Sequence, residues 1–245
     1  MNKMSKTNKV SVVLPAYNEE KSVGKLVREI KTLNNDFEVI VVDDGSSDNT
    51  FAVAQSAGAF VIKHPYNIGN GAAVKSGVRI ANGDIVILMD ADGQHSPKDI
   101  PKLLTSIDNF DMVVGTRTGR SNLSWYRSIG NKILIKVAEF LSGHKIPDLT
   151  SGFRAIRREK LRELLHLFPN RYSYPTTITL AILKSGYFIR YLPLDSINRR
   201  REGESKLQPI RDGIRFINIM LRIIMLFDPQ KIFIPSSILF FTIGC

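Results

Sequence analysis

This sequence of 245 residues is poor in cysteine and tryptophan, with one residue of each, Cys245 and Trp125. A single cysteine cannot form a disulfide within the chain, which excludes a disulfide-stabilised scaffold and is compatible with a reducing compartment. The first apolar run, VSVVL at 10–14, is too short for the core of a secretory signal, so we expect no leader peptide. We therefore predict one main domain with its own core, working in the cytoplasm.

Acidic side chains are fewer than basic ones, and 34 Lys and Arg against 23 Asp and Glu give a formal net charge of +11. Such an excess favours an anionic partner, which can be a nucleic acid, a phosphorylated ligand or a lipid headgroup. The sign of the charge alone does not choose among these three partners.

Apolar runs long enough to cross a membrane are missing as well, since a helix needs roughly 20 apolar residues to span a hydrocarbon core. The uncharged tail at 232–245 has only 14 residues. It fits either a buried core helix or the start of a transmembrane segment. We predict the second, because the segment at 209–231 mixes apolar residues with Arg211, Arg215, Arg222 and Lys231, as an amphipathic juxtamembrane helix on the cytoplasmic side does.

The rest of the chain alternates short apolar runs with helical patterns. This alternation predicts an α/β fold with a mostly parallel sheet covered by helices on both faces. The predicted strands lie at 10–14, 37–42, 59–63, 84–89, 111–115 and 186–194.

Three helices are predicted between the first four strands, at 23–33, 48–57 and 72–81, from apolar residues spaced three and four apart. Gly58 and Gly83 follow the second and third helices and suit the left-handed residue after a helix end. From about 120 to 165 the pattern is helical and basic.

Polar clusters follow three of the predicted strands, with the sequences PAYNEE at 15–20, DDGSSDNT at 43–50 and DADGQH at 90–95. In open α/β sheets, ligands bind outside the carboxyl ends of the strands. We therefore expect the three clusters to meet at one rim of the sheet and to form the functional site.

Asp90 and Asp92 are candidate metal ligands, because residues two apart in an extended segment point to the same side. Their hard oxygens suit Mg²⁺ or Mn²⁺, with the Gln94 carbonyl as a possible third protein ligand and substrate phosphates completing the coordination. The alternative is that the aspartates only cap the following helix.

Asp43 and Asp44 offer two roles of another kind. One can accept a hydrogen bond from a base N–H or a ribose hydroxyl of a nucleotide, while the other holds the turn that follows. An Asx turn before the next helix is the structural alternative for both.

Taken together, these motifs resemble the family-2 glycosyltransferases of the GT-A fold, in particular the polyprenyl-phosphate sugar transferases typified by dolichol-phosphate mannose synthase. The resemblance covers nearly all of residues 9–208 in the order of the family. The matching segments are PAYNEE (15–20), VVDDGSSDNT (41–50), NIGNGAAVKSG (67–77), DADGQH (90–95), GTR (115–117), SGFRAIRRE (151–159) and RREGESKL (200–207).

For the donor, the resemblance implies a nucleotide-diphosphate sugar held across the rim, with a metal ion on the two phosphates. The residues implied to border the nucleoside are Pro15, Tyr17, Glu19, Asp43 and Asp44, and those implied for the metal are Asp90, Asp92 and Gln94. Asp92 is also the implied catalytic residue. Arg200 and Lys206, in a segment expected to close over the site, would add positive charge near the leaving group. An exposed charged loop is the alternative for that segment.

For the acceptor, the resemblance implies a polyprenyl phosphate gripped by Arg117, Arg127 and Asn131, with Arg117 also counted as catalytic. A phosphate monoester is already anionic at neutral pH, so it needs cations rather than a general base, and guanidinium geometry suits it. Asp148 and residues 151–154 are expected to form the floor between donor and acceptor.

The rival functions each lack a sequence feature. A processive polysaccharide synthase would carry a Q-x-x-R-W motif, which Trp125 does not belong to, and a nucleotidyltransferase would carry a basic glycine-rich loop where this chain has PAYNEE. A nucleic-acid-binding module would not need four carboxylates at one rim. A family-2 enzyme with a sugar hydroxyl as acceptor, working in cell-surface polysaccharide synthesis, stays open as the alternative.

We therefore predict an inverting hexosyltransferase of the cell membrane, with a catalytic domain at 1–208 on the cytoplasmic face, an amphipathic helix at 209–231 and the start of a transmembrane segment at 232–245. Its expected ligands are a UDP- or GDP-hexose, Mg²⁺ or Mn²⁺ and an undecaprenyl or dolichyl phosphate, with no nucleic acid. The sequence does not determine the nucleotide, the sugar or the oligomeric state. A homo-oligomer stays open.

Overall fold

The computed structural model describes residues 8–117, 125–171, 173–194 and 209–244, with the backbone alone at 117, 125–131, 209–215 and 239. Within these ranges, seven strands form one sheet. They are β1 (Val10–Ala16), β2 (Glu38–Asp43), β3 (Phe60–Lys63), β4 (Ile85–Leu88), β5 (Met112–Arg117), β6 (Arg154–Arg157) and β7 (Ile189–Leu194), in the spatial order β3-β2-β1-β4-β6-β5-β7.

Most strand pairs in this sheet are parallel. β1 pairs in parallel with β2 and β4, β2 with β3, and β5 with β7. Only β6 runs antiparallel to both of its neighbours, β4 and β5, among the strands described here. The carboxyl ends of β1, β2 and β4 therefore lie side by side at one rim, as the sequence predicted.

Helices cover both faces of the sheet, which confirms the predicted fold class. α1, α2 and α4 pack on one face, and α3, α6 and α7 on the other, while α5, α7 and α8 share a third apolar cluster. Their bounds are α1 (Val23–Leu33), α2 (Thr50–Ser56), α3 (Asn70–Ile80), α4 (Ile100–Ser106), α5 (Trp125–Ser142), α6 (Arg158–Leu164), α7 (Tyr174–Lys184), α8 (Pro209–Phe227) and α9 (Gln230–Gly244).

The first half of the chain follows the predicted order, and the three predicted helices correspond to α1, α2 and α3. Gly58 has a φ of 94°, as expected for a residue after a helix end. The same expectation is wrong for Gly83, which is not among the glycines with positive φ. A Cβ at Gly83 would lie 2.5 Å from the backbone nitrogen of Ser11, so close approach to β1 explains this glycine.

β6 was not predicted, because the segment around it looked helical and basic. The strand has four residues, and an arginine stands at each end of it. Its two central residues, Ala155 and Ile156, are fully buried on opposite faces of the sheet. A four-residue strand with an arginine at each end is too short to show the alternation of apolar and polar residues by which strands are predicted from sequence.

The C-terminal helices differ from one another in their surroundings. α8 buries Phe216, Met220, Ile223 and Ile224 against α5 and α7. α9 leaves its apolar side chains exposed, with Phe240 at 73%, so the buried-core alternative for the tail is wrong.

Over the described residues, no helix alone has the length and hydropathy of a membrane span. Phe216–Phe227 and Gln230–Gly244 meet that criterion only as a pair, bent by 105°.

Candidate functional site

A cleft of about 350 Å³ lies at the rim where β1, β2 and β4 end. It brings together six residues that the sequence placed at the site, namely Pro15, Tyr17, Glu19, Asp44, Asp90 and Asp92. The other lining residues are Ala16, Asn67, Gly69, Asn70, Ala73 and Ala91. The expectation that three polar clusters meet at one rim is therefore confirmed.

Asp90 lies two residues beyond the end of β4, and the pKa of its carboxyl is raised. Burial, with the nearby Asp92 carboxylate as the next cause, raises the pKa of Asp90 from 3.8 to about 6. Asn70 opposes this shift, since its Nδ2 lies 3.5 Å from Asp90 Oδ1. The buried Arg154 also favours the charged form of Asp90, although more weakly.

The backbone at Gly152 closes one side of Asp90. A Cβ at this position would lie 2.5 Å from Asp90 Oδ2, so only glycine fits there without moving the carboxylate. This contact places Gly152 against the Asp90 carboxylate, and the role of residues 151–154 as a floor between donor and acceptor stays a prediction. It also explains the glycine of the S-G-F-R sequence in physical terms.

Asp92 lines the cleft and also shapes its own turn. Its Oδ1 accepts a hydrogen bond from the backbone N–H of Gln94 at 3.1 Å, and Gly93 between them has a φ of 72°. This is an Asx turn within the loop and not a helix cap, because the next helical turn begins at Pro97 after Ser96. Gln94 does not line the cleft, so the structure gives no support to its side chain as a metal ligand.

Of the three predicted metal ligands, Asp90 and Asp92 line the cleft. Over the described residues, no three His, Cys, Asp or Glu side chains are grouped so that they could hold a metal ion by themselves. Two neighbouring carboxylates, one with a raised pKa, nevertheless form a hard-oxygen pair that a divalent cation would stabilise in its charged form. The donor set fits Mg²⁺ or Mn²⁺ provided that a ligand supplies further oxygens.

Glu19 is held against the Asp90 segment by Ser22. The Ser22 Oγ lies 2.9 Å from Glu19 Oε2 and 2.8 Å from the carbonyl oxygen of Ala91. The backbone N–H of Glu19 donates to Thr50 Oγ1 at 2.8 Å. These bonds connect the segments that follow β1, β2 and β4, and so fix the shape of the rim.

Asp44 is buried and accepts three hydrogen bonds. Its Oδ1 accepts from His64 Nδ1 at 2.7 Å and from the backbone N–H of Ile68 at 3.1 Å, and its Oδ2 accepts from the N–H of Gly69 at 2.7 Å. Asp44 therefore orders the loop before α3 while it lines the cleft.

Asp43 was predicted to bind substrate, and the structure corrects this. Its side chain is fully buried outside the cleft, and its Oδ1 accepts from the backbone N–H of Ser46 at 2.8 Å. The Nζ of Lys63 lies 3.9 Å from the other carboxylate oxygen. Adjacent residues at a strand end point to opposite sides, so Asp43 holds the turn and Asp44 reaches the cleft.

The glycine-rich segment at 67–77 does not form a phosphate cradle. The backbone N–H groups of Gly71 and Ala72, at the start of α3, donate to the carbonyl oxygens of Arg171 and Asn170. A Cβ at Gly71 would overlap the carbonyl oxygen of Pro169. Gly69 and Gly71 allow close packing against the loop at 169–171.

Arg154 belongs to the segment that the sequence placed at the floor, and the structure shows it in the protein interior. It is fully buried, and it donates to Ser151 O at 2.6 Å and to Thr179 Oγ1 at 2.8 Å. Burial lowers the pKa of its guanidinium, while Tyr174 and Tyr191, followed by Asp148 and Asp90, favour the charged form. The motif marked this arginine as part of the floor, but the burial of its guanidinium could not be read from the sequence pattern.

Asp148 supports the same floor through the backbone. Its Oδ1 accepts from the N–H groups of Thr150 and Ser151, at 2.9 and 3.0 Å. This is an Asx turn, so the carboxylate is engaged in structure. His95, beside the metal candidates, is buried with its ring 5.1 Å from that of Phe153.

The predicted acceptor residues cannot be placed at side-chain level. Arg117 ends β5, and Arg127 and Asn131 lie in the first turns of α5, but their side chains lie outside the described part of the chain. Arg200 and Lys206 lie outside the described residues altogether.

Comparison with known proteins adds a family and relatives to this geometry. The family model "Glycosyl transferase family 2" matches residues 11–165. The undecaprenyl-phosphate 4-deoxy-4-formamido-L-arabinose transferase of Proteus mirabilis is 32% identical over 231 residues, which cover 90% of this chain and 68% of the relative. An uncharacterized protein of Methanocaldococcus jannaschii is 30% identical, with 92% and 93% covered.

Among solved structures, the chain is similar to the glucosyl-3-phosphoglycerate synthase of Mycobacterium tuberculosis, crystallised in complex with Mn²⁺, UDP and phosphoglyceric acid. The TM-score is 0.72 at 23% identity, over 89% of this chain and 79% of that one. At this identity the likeness shows a shared fold.

Proposed function

Because this chain belongs to glycosyl transferase family 2 and has the GT-A fold, we propose that it is an inverting hexosyltransferase that moves a sugar from a nucleotide diphosphate to a polyprenyl phosphate. The observation that carries this proposal is the cleft in which Asp90 and Asp92 share one rim with Tyr17 and Asp44. A nucleotide can lie along one side of such a cleft with its diphosphate over the carboxylates.

On the donor side, we assign Asp90 and Asp92 as the protein ligands of a Mg²⁺ or Mn²⁺ ion. The raised pKa of Asp90 supports this assignment, since the two acids repel one another without a cation. When bound, the ion supplies Lewis-acid stabilisation of the charge on a leaving diphosphate. Asp44 and Tyr17 border the nucleoside, and Glu19 holds the rim in shape through Ser22.

On the acceptor side, a lipid phosphate is supported by the chemistry that the site offers. A phosphate monoester with a pKa near 6 is largely ionised at neutral pH and needs no general base. Asp148, the acid of the floor, is engaged in a turn. The Proteus mirabilis relative is named for an undecaprenyl-phosphate acceptor. Arg117, Arg127 and Asn131 are the proposed groups that bind the lipid phosphate, and Arg200 and Lys206 are proposed to add positive charge near the leaving group.

The exposed apolar surface of α9 supports work at a membrane. Phe240, Phe241 and Ile243 are all more than 70% exposed, in a helix that follows the basic segment of α8. Contiguous exposed apolar side chains of this kind are typical of a surface that contacts a membrane or a partner. We place the cleft on the cytoplasmic face, within reach of the phosphate of a membrane lipid.

The test is a transfer assay with purified protein, Mn²⁺, radiolabelled UDP- and GDP-hexoses and polyprenyl phosphate. We expect label in the organic phase from one donor. Parallel reactions contain 3-phosphoglycerate or a free sugar as acceptor, which would collect the label if the acceptor group were a hydroxyl. Label in those products, or only in free sugar, would contradict the lipid acceptor.

Asp92→Asn tests the metal assignment in the same assay. The amide removes one anionic ligand but can still accept the hydrogen bond from Gln94, so the fold should persist. We expect a loss of transfer of at least about 100-fold, in line with removal of a group that acts on developing charge. Asp99→Asn, a buried acid outside the cleft, is the control. Unchanged turnover in Asp92→Asn would refute the assignment.

A further inference from the structure

His64 lies between the donor cleft and α3 in a chain of three polar side chains. Its Nδ1 is 2.7 Å from Asp44 Oδ1, and its Nε2 is 2.9 Å from Ser76 Oγ. Only 7% of His64 and 2% of Asp44 are exposed. The imidazole therefore acts on the cleft only through Asp44.

The partners of His64 determine which nitrogen carries the proton. An ionised carboxylate only accepts hydrogen bonds, so Nδ1 must be the donor towards Asp44. In the neutral imidazole, Nε2 then accepts from the hydroxyl of Ser76. This arrangement holds the ring in one orientation and, through it, one oxygen of Asp44.

The acceptor capacity of Asp44 is limited by these contacts. A carboxylate has about four lone-pair sites, two on each oxygen. Among the described residues, three donors fill three of the sites, with His64 and Ile68 on Oδ1 and Gly69 on Oδ2. One site on Oδ2 is left for a ligand in the cleft that Asp44 lines.

Nucleobases differ in how many donors they present to a single carboxylate. Uracil has one N–H on its pairing edge, at N3, whereas guanine presents two adjacent donors, at N1 and N2. An acceptor with one open site satisfies the single N–H of uracil but only one of the two guanine donors, and a donor left unpaired on binding is costly. The number of open acceptor sites on Asp44 therefore distinguishes UDP-sugars from GDP-sugars, a choice that the sequence left open.

We propose that His64 is a positioning residue that makes the donor site selective for uridine over guanosine diphosphates, by occupying an Asp44 oxygen that guanine would need. The inference rests on the proposed function, because it concerns the base of the same nucleotide-sugar donor. It goes beyond that function by naming the nucleotide and a residue that selects it.

The experiment measures dissociation constants of UDP and GDP by calorimetry, in the presence of Mn²⁺. Wild-type protein should bind UDP at least about tenfold more tightly than GDP. His64→Asn puts an amide nitrogen where Nδ1 stood and should keep both the affinity and the ratio. His64→Gln puts its amide where Nε2 stood, so it should weaken UDP about tenfold and reduce the ratio of GDP to UDP constants to about threefold or less.

His166→Gln is the matched control, since His166 is exposed and bonded to the carbonyl oxygen of Glu163. It should leave both constants unchanged, and thermal unfolding should show all variants folded. Equal binding of UDP and GDP by the wild type, or a His64→Gln protein that keeps the wild-type ratio, would overturn this inference and leave the proposed function standing. Binding of neither nucleotide would overturn the proposed function as well.

Discussion

At the scale of single residues, Asp90 combines a useful position with an energetic cost. Its carboxyl lies among buried atoms and close to Asp92, and these two causes raise its pKa from 3.8 to about 6. Folding therefore disfavours the charged form, which is the form that would bind a cation. The stability of the metal-free protein and its function thus place opposite demands on this residue.

Asp90→Asn should therefore stabilise the metal-free protein while it abolishes transfer. Because the folded-state pKa is the higher one, the unfolded chain releases its proton first as pH rises, and stability falls between about 4 and 6. Above pH 6 Asp90 is charged in both states, and the folded protein then loses about 1–3 kcal/mol of stability. This range takes the partial exposure of Asp90 into account. Thermal unfolding in EDTA at pH 7.5 should show a higher midpoint for the variant.

The pH dependence provides the control for that prediction. The gain in stability of Asp90→Asn should shrink as the pH is lowered towards 5, because Asp90 of the wild type then becomes protonated. A gain that stays constant with pH, or a variant less stable at pH 7.5, would contradict the electrostatic explanation.

Gly152→Ala should disturb the same carboxylate from the other side. The added Cβ would lie 2.5 Å from Asp90 Oδ2, so the carboxylate has to move. A displacement of about 1 Å at a reacting centre can reduce the rate about 100-fold, and we expect a loss of that order in the transfer assay. Gly244→Ala, where an added Cβ meets no atom within 4 Å, is the control and should keep full activity.

The sequence predicted which residues lie at the rim but not which of them line the cleft and which hold the turns. Asp43 and Asp44 follow the same apolar strand, and no pattern tells which of two adjacent carboxylates reaches a cleft. The structure decides it through the contacts of Asp44 with His64 and Gly69. These partners are 20 and 25 positions away along the chain, so tertiary structure alone supplies that information.

At the scale of elements, the periodic segments were predictable and the short charged strand was not. α1 has its predicted bounds, since its apolar residues recur at helical spacing and bury one face. β6 depends on Arg154, whose charge is accommodated in the interior by Ser151 and Thr179. A buried arginine satisfied by distant groups looks the same in a sequence as a surface arginine.

α8 should contribute to the stability of the catalytic domain, because one face of it is buried against α5 and α7. Met220 is fully buried, whereas Met225 on the same helix is 47% exposed. Met220→Ala should cost about 2–5 kcal/mol of unfolding free energy, and Met225→Ala no more than about 0.5 kcal/mol. Urea unfolding in detergent measures both, and equal small effects would show that α8 is only loosely attached.

At the scale of the whole molecule, the corner between α8 and α9 connects the apolar tail to the catalytic domain. Asp228, at this corner, is bonded to Lys184 of α7 at 2.9 Å and lies 3.8 Å from Lys231. Lys231 also donates to the carbonyl oxygen of Leu141 in α5. The sequence placed Lys231 at the end of the basic juxtamembrane segment, and these contacts show that its ammonium group is engaged within the protein.

The exposed side chains of α9 should therefore be what holds the molecule on a membrane. Burying a phenylalanine side chain in an apolar phase is worth about 1.5–3 kcal/mol, so replacing both Phe240 and Phe241 by Asp should weaken vesicle binding by at least about 100-fold. Sedimentation with vesicles of anionic and neutral lipid measures this loss. Phe60→Asp, which changes a phenylalanine that is also exposed but lies at the start of β3, is the matched control and should bind like the wild type. If the double variant sediments with vesicles as well as the control does, α9 is not the membrane contact, and the cleft must reach its lipid acceptor by another surface.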